Sequence, residues 1–165
     1  MTLTRAITVW FGAGLLPKAP GTWGSLAALP LAWGLHWLGG FPLLLVATVV
    51  VFAVGLWATR VETAGRADHD PSEIVVDEVV GQWIALWGLS AGLWVTGAAP
   101  HVFPWPGVVM GFVLFRLLDI SKPWPVSYFD RMKTPFGVMM DDVVAGAIVA
   151  LTTLLGAAFS HGWLG

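Results

Sequence analysis

All eighteen Lys, Arg, Asp and Glu side chains, eight basic and ten acidic, fall within three short stretches, residues 5–18, 60–78 and 116–142. The runs between and after them, 19–59, 79–115 and 143–165, are uncharged and mostly apolar. Hydrocarbon penalises a charge by about 2.5–3.5 kcal/mol at a helix centre, so a chain that threads a bilayer gathers its charges at the two surfaces. The same three stretches hold nearly every group able to do chemistry. Location and site are therefore written in one pattern.

The composition agrees. A hydrophobic share of 57% with only 11% charged residues lies well outside the soluble average of roughly 45–50% and 25%. A soluble domain of 165 residues built this way would have too few charges to cover its surface, so a single integral membrane domain over residues 1–165 is expected. Eleven tryptophans fit that reading, because Trp favours the headgroup level. The net charge of −2, with no basic block, gives no support for nucleic-acid binding. Cysteine is absent, which excludes disulfides, thiolate metal sites and cysteine nucleophiles. Arg5 followed by apolar residues 6–16 resembles a short signal peptide. No small-x-small cleavage site follows, however, and further apolar segments do, so the segment is expected to be retained.

Alternation with a period of two is missing, so strands are not expected and the fold class is all-α: a multi-pass helical membrane bundle whose loops on one face form the site. Residues 24–38 and 41–59 make two apolar segments joined at Gly39-Gly40, a helical hairpin. The second would reach about 28 Å as a helix, close to the ~30 Å hydrocarbon core. The first carries Pro30 and His36 and is short enough to be half-buried. Residues 79–97 form the third candidate span, softly interrupted at Gly88 and Gly92. Residues 98–106, with three prolines, read as a loop. Residues 107–118 give a helix of only about 18 Å, which must tilt, thin the bilayer or re-enter. Residues 143–159 are the last span. With a cytoplasmic N-terminus, five passes put all eight basic residues on the cytoplasmic side, in keeping with the positive-inside rule.

The acids then define the chemistry. Asp77-Glu78 opens one apolar span and Asp141-Asp142 opens another. Taken alone, the first pair serves equally well as helix-N-terminal acids exposed to water. Asp119 and Lys122 are three residues apart and share a helical face if the helix persists that far. Two acid pairs and Asp119 at one membrane face point to a hard divalent cation, with Mg²⁺ suiting carboxylates at a wet interface. His36, His69, His101 and His161 are scattered, so zinc is not supported. Residues 12–25 are not a Walker A loop. They do place Lys18, Thr22 and Ser25 around a Gly/Pro-rich turn at a helix start, where free N–H groups attract phosphate or a plain N-cap forms. Asp68-His69-Asp70-Pro71-Ser72 has the spacing of a haloacid dehalogenase nucleophile motif but lacks its residue types and its preceding strand.

Three blocks resemble the signature blocks of the phosphatidylglycerophosphatase A family. They are Leu16-Pro17-Lys18-Ala19-Pro20-Gly21-Thr22-Trp23-Gly24-Ser25, then Ile74-Val75-Val76-Asp77-Glu78-Val79-Val80-Gly81-Gln82, then Phe115-Arg116 with Asp119-Ile120, Lys122-Pro123-Trp124-Pro125 and Asp141-Asp142-Val143-Val144-Ala145-Gly146. The resemblance implies a bacterial inner-membrane enzyme with its site on the cytoplasmic face. The reaction it implies is Mg²⁺-dependent hydrolysis of phosphatidylglycerophosphate to phosphatidylglycerol and phosphate. It assigns Asp77, Glu78, Asp119, Asp141 and Asp142 to the metal-and-water centre, with Asp77, Asp119 and Asp142 catalytic. Lys18, Arg116 and Lys122 would neutralise phosphate oxygens, with Thr22 and Ser25 assisting. Where the family usually has a glycine pair before the final aspartates, this chain has Thr134-Pro135-Phe136-Gly137, which predicts a stiffer loop. A CDP-alcohol transferase also needs Mg²⁺ and aspartates, but its long single motif is absent. A small ion-coupled carrier would place its acids midspan and show an internal repeat.

Overall fold

The computed structural model describes residues 1–66 and 71–160. Seven α-helices and no strand are found among the described residues: α1 (Leu3–Thr8), α2 (Pro20–Thr63), α3 (Val76–Ala85), α4 (Trp87–Val95), α5 (Trp105–Ser121), α6 (Val126–Asp130) and α7 (Pro135–Ser160), with a 3₁₀ turn over Trp10–Leu15. The all-helical expectation holds.

The hairpin lies within α2. Gly39 (φ −155°) and Gly40 (φ 64°) leave helical geometry. Gly40 needs both the left-handed backbone that glycine tolerates and the missing Cβ, since a side chain there would run into the Trp94 ring. The two limbs lie side by side: Gly24 of the first abuts Val75, and Gly55 of the second abuts Val76. The helix runs unbroken through Pro30. Of the described helices, α2 and α7 are long and apolar enough to cross a membrane.

Helix α3 occupies the centre. Nine of its ten residues are buried, and it contributes to every apolar cluster of the core: with Ala28, Ala32 and Leu44 of α2, with Met139 of α7, and with Phe115 of α5, Val126 of α6 and Val149 of α7. Side-chain hydrogen bonds, two of them fully buried, tie α3 and α4 to α2. Trp83 Nε1 donates to the Ala28 carbonyl (2.9 Å), Trp87 Nε1 to Thr48 Oγ1 (3.3 Å), and His36 Nδ1 pairs with Ser90 Oγ (2.8 Å). In an apolar interior such pairs avoid the cost of unmet polar groups. The interruption expected at Gly88 and Gly92 falls instead at Leu86, where a turn separates α3 from α4. Helix α5 exceeds residues 107–118 at both ends and reaches about 25 Å.

Helices α3 and α7 cross almost backbone to backbone. A Cβ on Gly81 would meet the Phe115 ring and the Asp142 carbonyl, and one on Gly146 would meet the Gly81 carbonyl. Asp77 stands four residues before Gly81 and Asp142 four before Gly146. Residues four apart share a helix face, so this close crossing draws the two acid pairs together one turn above it.

Candidate active site

A cavity of about 290 Å³ opens where the start of α2, the start of α3, the end of α5 and the first turns of α7 meet. Asp77, Glu78, Arg116, Asp119, Lys122, Asp141 and Asp142 all line it, together with residues 19–21. The second and third charged stretches contribute to it directly, whereas the first reaches only its edge, since the lining begins at Ala19, just past Lys18. Elsewhere on this end the first and second stretches also meet. Arg5 Nη1 binds Glu73 Oε1 at 2.8 Å, and Thr4 Oγ1 donates to Glu62 Oε1 at 2.5 Å.

The acid pair at Asp77-Glu78 does lie in the first turn of a helix, but not as exposed N-terminal acids. Asp77 is 6% exposed and Asp142 is 2% exposed. One oxygen from each of Asp77, Glu78 and Asp142 lies within 4.8 Å of the other two. Glu78 Oε2 and Asp142 Oδ1 are buried without a hydrogen-bond partner, an arrangement that costs free energy unless a cation or water compensates. Burial pushes the Glu78 carboxyl up to about 8, and the charges of Asp142 and Asp119 add to the rise against a hydrogen bond with Asp77. The donor set is oxygen only, which fits Mg²⁺, an ion that keeps several of its own waters.

Asp119 and Asp141 line the same cavity but are engaged by cations. Asp119 Oδ2 accepts from Arg116 Nη1 at 2.5 Å, and Asp141 Oδ2 accepts from Lys122 Nζ at 2.7 Å. Asp119 and Lys122 do not come to share the helical face that their spacing allows, because the helix does not persist that far. Helix α5 stops at Ser121, and Lys122 caps it in the left-handed conformation (φ 44°, ψ 54°), which turns the chain off the shared face. Burial works against the Lys122 charge, yet hydrogen bonds to Asp130 and Asp141 outweigh it and hold the ammonium above its ordinary pKa. Asp130 is absent from the sequence candidates; its only signal there is membership of the third charged stretch.

The three N-terminal candidates fall outside the cavity lining. Lys18 is exposed, and its carbonyl accepts from Trp23 Nε1 (3.0 Å). Thr22 is half-buried away from the cavity. The Ser25 hydroxyl donates back to the Gly21 carbonyl (3.0 Å), as an interior helix serine does. The block reaches the site through its backbone instead. Gly21 lies against the Glu78 carboxylate and the Arg116 guanidinium, where a Cβ has no room. The expected loop at residues 134–137 is the start of α7. Thr134 Oγ1 accepts from the Gly137 N–H (3.1 Å) with Pro135 at the first helical position, and Gly137 gives close packing against the Phe129 carbonyl rather than flexibility. Asp68, His69, Asp70 and His161 lie outside the described residues.

The model of a family described as "PgpA: Phosphatidylglycerophosphatase A" matches residues 6–157. A phosphatidylglycerophosphatase A of Escherichia coli (strain K12) is 38% identical over 145 residues, covering 87% of this chain and 77% of that protein. One from Haemophilus influenzae (strain Rd) is 40% identical over 140 residues, 84% and 79% of the two chains. A Bacteroides thetaiotaomicron protein provisionally named as a phosphatidylinositol-3-phosphatase is 42% identical over 141 residues, 82% of each. No solved structure matches the chain.

Proposed function

Since the chain belongs to the phosphatidylglycerophosphatase A family, we propose that it hydrolyses the terminal phosphomonoester of phosphatidylglycerophosphate to phosphatidylglycerol and phosphate. The observation that carries this is the cavity itself, in which five carboxylates and two cations from separate helices converge at one end of an apolar bundle. Asp77, Glu78 and Asp142 would hold Mg²⁺, which supplies Lewis-acid polarisation of the phosphoryl group and a lower pKa for the attacking water. Arg116 and Lys122 face the phosphate oxygens. Arg116 Nε is buried without a partner, and Lys122 uses two of its three N–H donors on carboxylates. Asp119 and Asp141 fix those cations, so the charge meeting the transition state is preorganised. Water attacks phosphorus directly and gives its proton to a carboxylate of the cluster. The bond from phosphorus to the glycerol oxygen breaks, and that oxygen takes the proton the carboxylate had accepted from water.

A bilayer location suits the same reading. The outer face of the second limb of α2 presents Val46, Val49, Val50 and Val54 to the surroundings, and α7 presents Leu151, Leu154 and Leu155. Several tryptophans are exposed, among them Trp37 and Trp94 beside the Gly39-Gly40 turn and Trp23, whose Nε1 donates to the Lys18 carbonyl just before the cavity-lining residues 19–21, as interfacial anchors are. A five-pass arrangement in the bacterial inner membrane would set the cavity at the cytoplasmic headgroup level, where a lipid phosphate arrives with its acyl chains still in hydrocarbon.

The test is phosphate release by purified protein from detergent-dispersed phosphatidylglycerophosphate, run beside phosphatidylinositol 3-phosphate. Release from the first substrate that stops with EDTA and returns with Mg²⁺, and less fully with Mn²⁺, is expected. Preference for the inositol lipid would overturn the substrate, and full activity after exhaustive chelation would overturn the metal.

A further inference from the structure

Resting on the reading of the cavity as a phosphomonoester site, we propose that Asp130 is a positioning residue. It holds the Lys122 ammonium at the cavity wall, so that Lys122 meets the substrate phosphate through its one uncommitted N–H. Lys122 Nζ donates to Asp130 Oδ1 at 2.5 Å and to Asp141 Oδ2 at 2.7 Å. Asp141 lines the cavity and Asp130 does not, so the ammonium is suspended between one carboxylate inside the site and one outside it. An ammonium has three donors and no acceptor, and two are spent here. The third is left for an anion entering the cavity.

The outer anchor is rigid. Asp130 closes α6, and α6 is seated on the first turn of α7, where Gly137 leaves no room for a Cβ beneath the Phe129 carbonyl. The distance from Asp130 to Asp141 is therefore set by helix packing, while the lysine stem between them is flexible. Without Asp130, the only remaining pull on the ammonium is from Asp141 and the acids beside it. Lys122 would then fold inward over Asp141 and lose the direction of its third donor. Ground-state attraction for a phosphate would survive, because the removed charge is negative. Transition-state stabilisation would not.

The experiment is steady-state phosphate release from phosphatidylglycerophosphate with Mg²⁺, on proteins whose folding is verified by circular dichroism and size exclusion. For Asp130→Asn, kcat is expected to fall about tenfold to a hundredfold with KM not raised, and Asp130→Glu is expected to recover most of the loss. In a Lys122→Ala background, Asp130→Asn is expected to change nothing further, since it acts only through the lysine. Mn²⁺ binding, read by electron paramagnetic resonance, is expected to match wild type in Asp130→Asn. Four results would each overturn the proposal: Asp130→Asn equal to an active wild type, a loss that persists in the Lys122→Ala background, weakened Mn²⁺ binding, or failure of both Asp130 variants to fold. An inactive wild type would instead remove the phosphatase reading, and this inference with it.

Discussion

Asp142 has 2% of its surface exposed, an oxygen without a partner, and Asp77 and Glu78 close by. Three acids this close and this buried cost free energy, because like charges repel strongly in a low dielectric. Replacing Asp77, Asp119 or Asp142 by Asn is expected to lower turnover by at least about a hundredfold, the scale lost with one preorganised group of a reacting site. The melting temperature of metal-free Asp142→Asn is expected to hold or rise, since a buried charge is relieved, and scanning calorimetry beside the activity assay checks both. A drop in both would make the acid structural. Asp68 and Asp70, outside the described residues, are expected as Asn to leave turnover nearly unchanged in the same assay.

At the scale of elements, the N-terminal helix is held to the segment before α3 by the ion pair of Arg5 with Glu73 and by the Val75 N–H, which donates to the Thr8 carbonyl (2.8 Å). Arg5 donates to Glu73, and that hydrogen bond, opposed by a little burial and aided by the charge of Arg5 itself, holds the Glu73 carboxyl below its ordinary pKa. A depressed acid contributes stability that is fully present above its unfolded pKa, near 4.5, and is lost as pH falls through the lower folded value. Both side chains are about a third exposed, so solvent screening keeps the contribution below about 1 kcal/mol. The melting-temperature advantage of wild type over Glu73→Gln is expected to shrink as pH falls from 6 to 3, because the depressed acid loses its contribution there while the acids of the cavity are common to both proteins; a difference that stays constant with pH would remove Glu73 as a source of pH dependence. The close crossing of α3 and α7 at Gly81 and Gly146 is the other decisive contact between elements, because it brings acids 65 residues apart in sequence, Asp77 and Asp142, into one cluster.

For the whole molecule, the proposed orientation makes a labelling prediction. Gly40 cannot take a reporter cysteine, since its φ is 64° and Trp94 fills the space of a Cβ. Leu38, 80% exposed beside that turn, can. Cysteines at Leu38 and His101 are expected to react with an impermeant maleimide added to intact cells. One at Lys133 is expected to react only after permeabilisation. Labelling of Lys133→Cys from outside would reverse the orientation, and equal labelling of all three sites would remove the membrane arrangement.

The helical class, the hairpin at Gly39-Gly40 and the acids that line the cavity were legible in the sequence, because charge exclusion from hydrocarbon and glycine's backbone freedom act locally and leave a one-dimensional mark. The division of labour among those acids was not. Asp119 pairs with Arg116 rather than Lys122 because the chain turns left-handed at Lys122, which residue spacing does not encode. Lys122 finds Asp130 across a separate short helix, and Thr22 and Ser25 yield their expected place to the backbone of Gly21. Segregation of charge along a chain is a property of composition and order. The choice of which oxygen faces which nitrogen depends on helix crossings and cap geometry, and those are settled only when the helices pack.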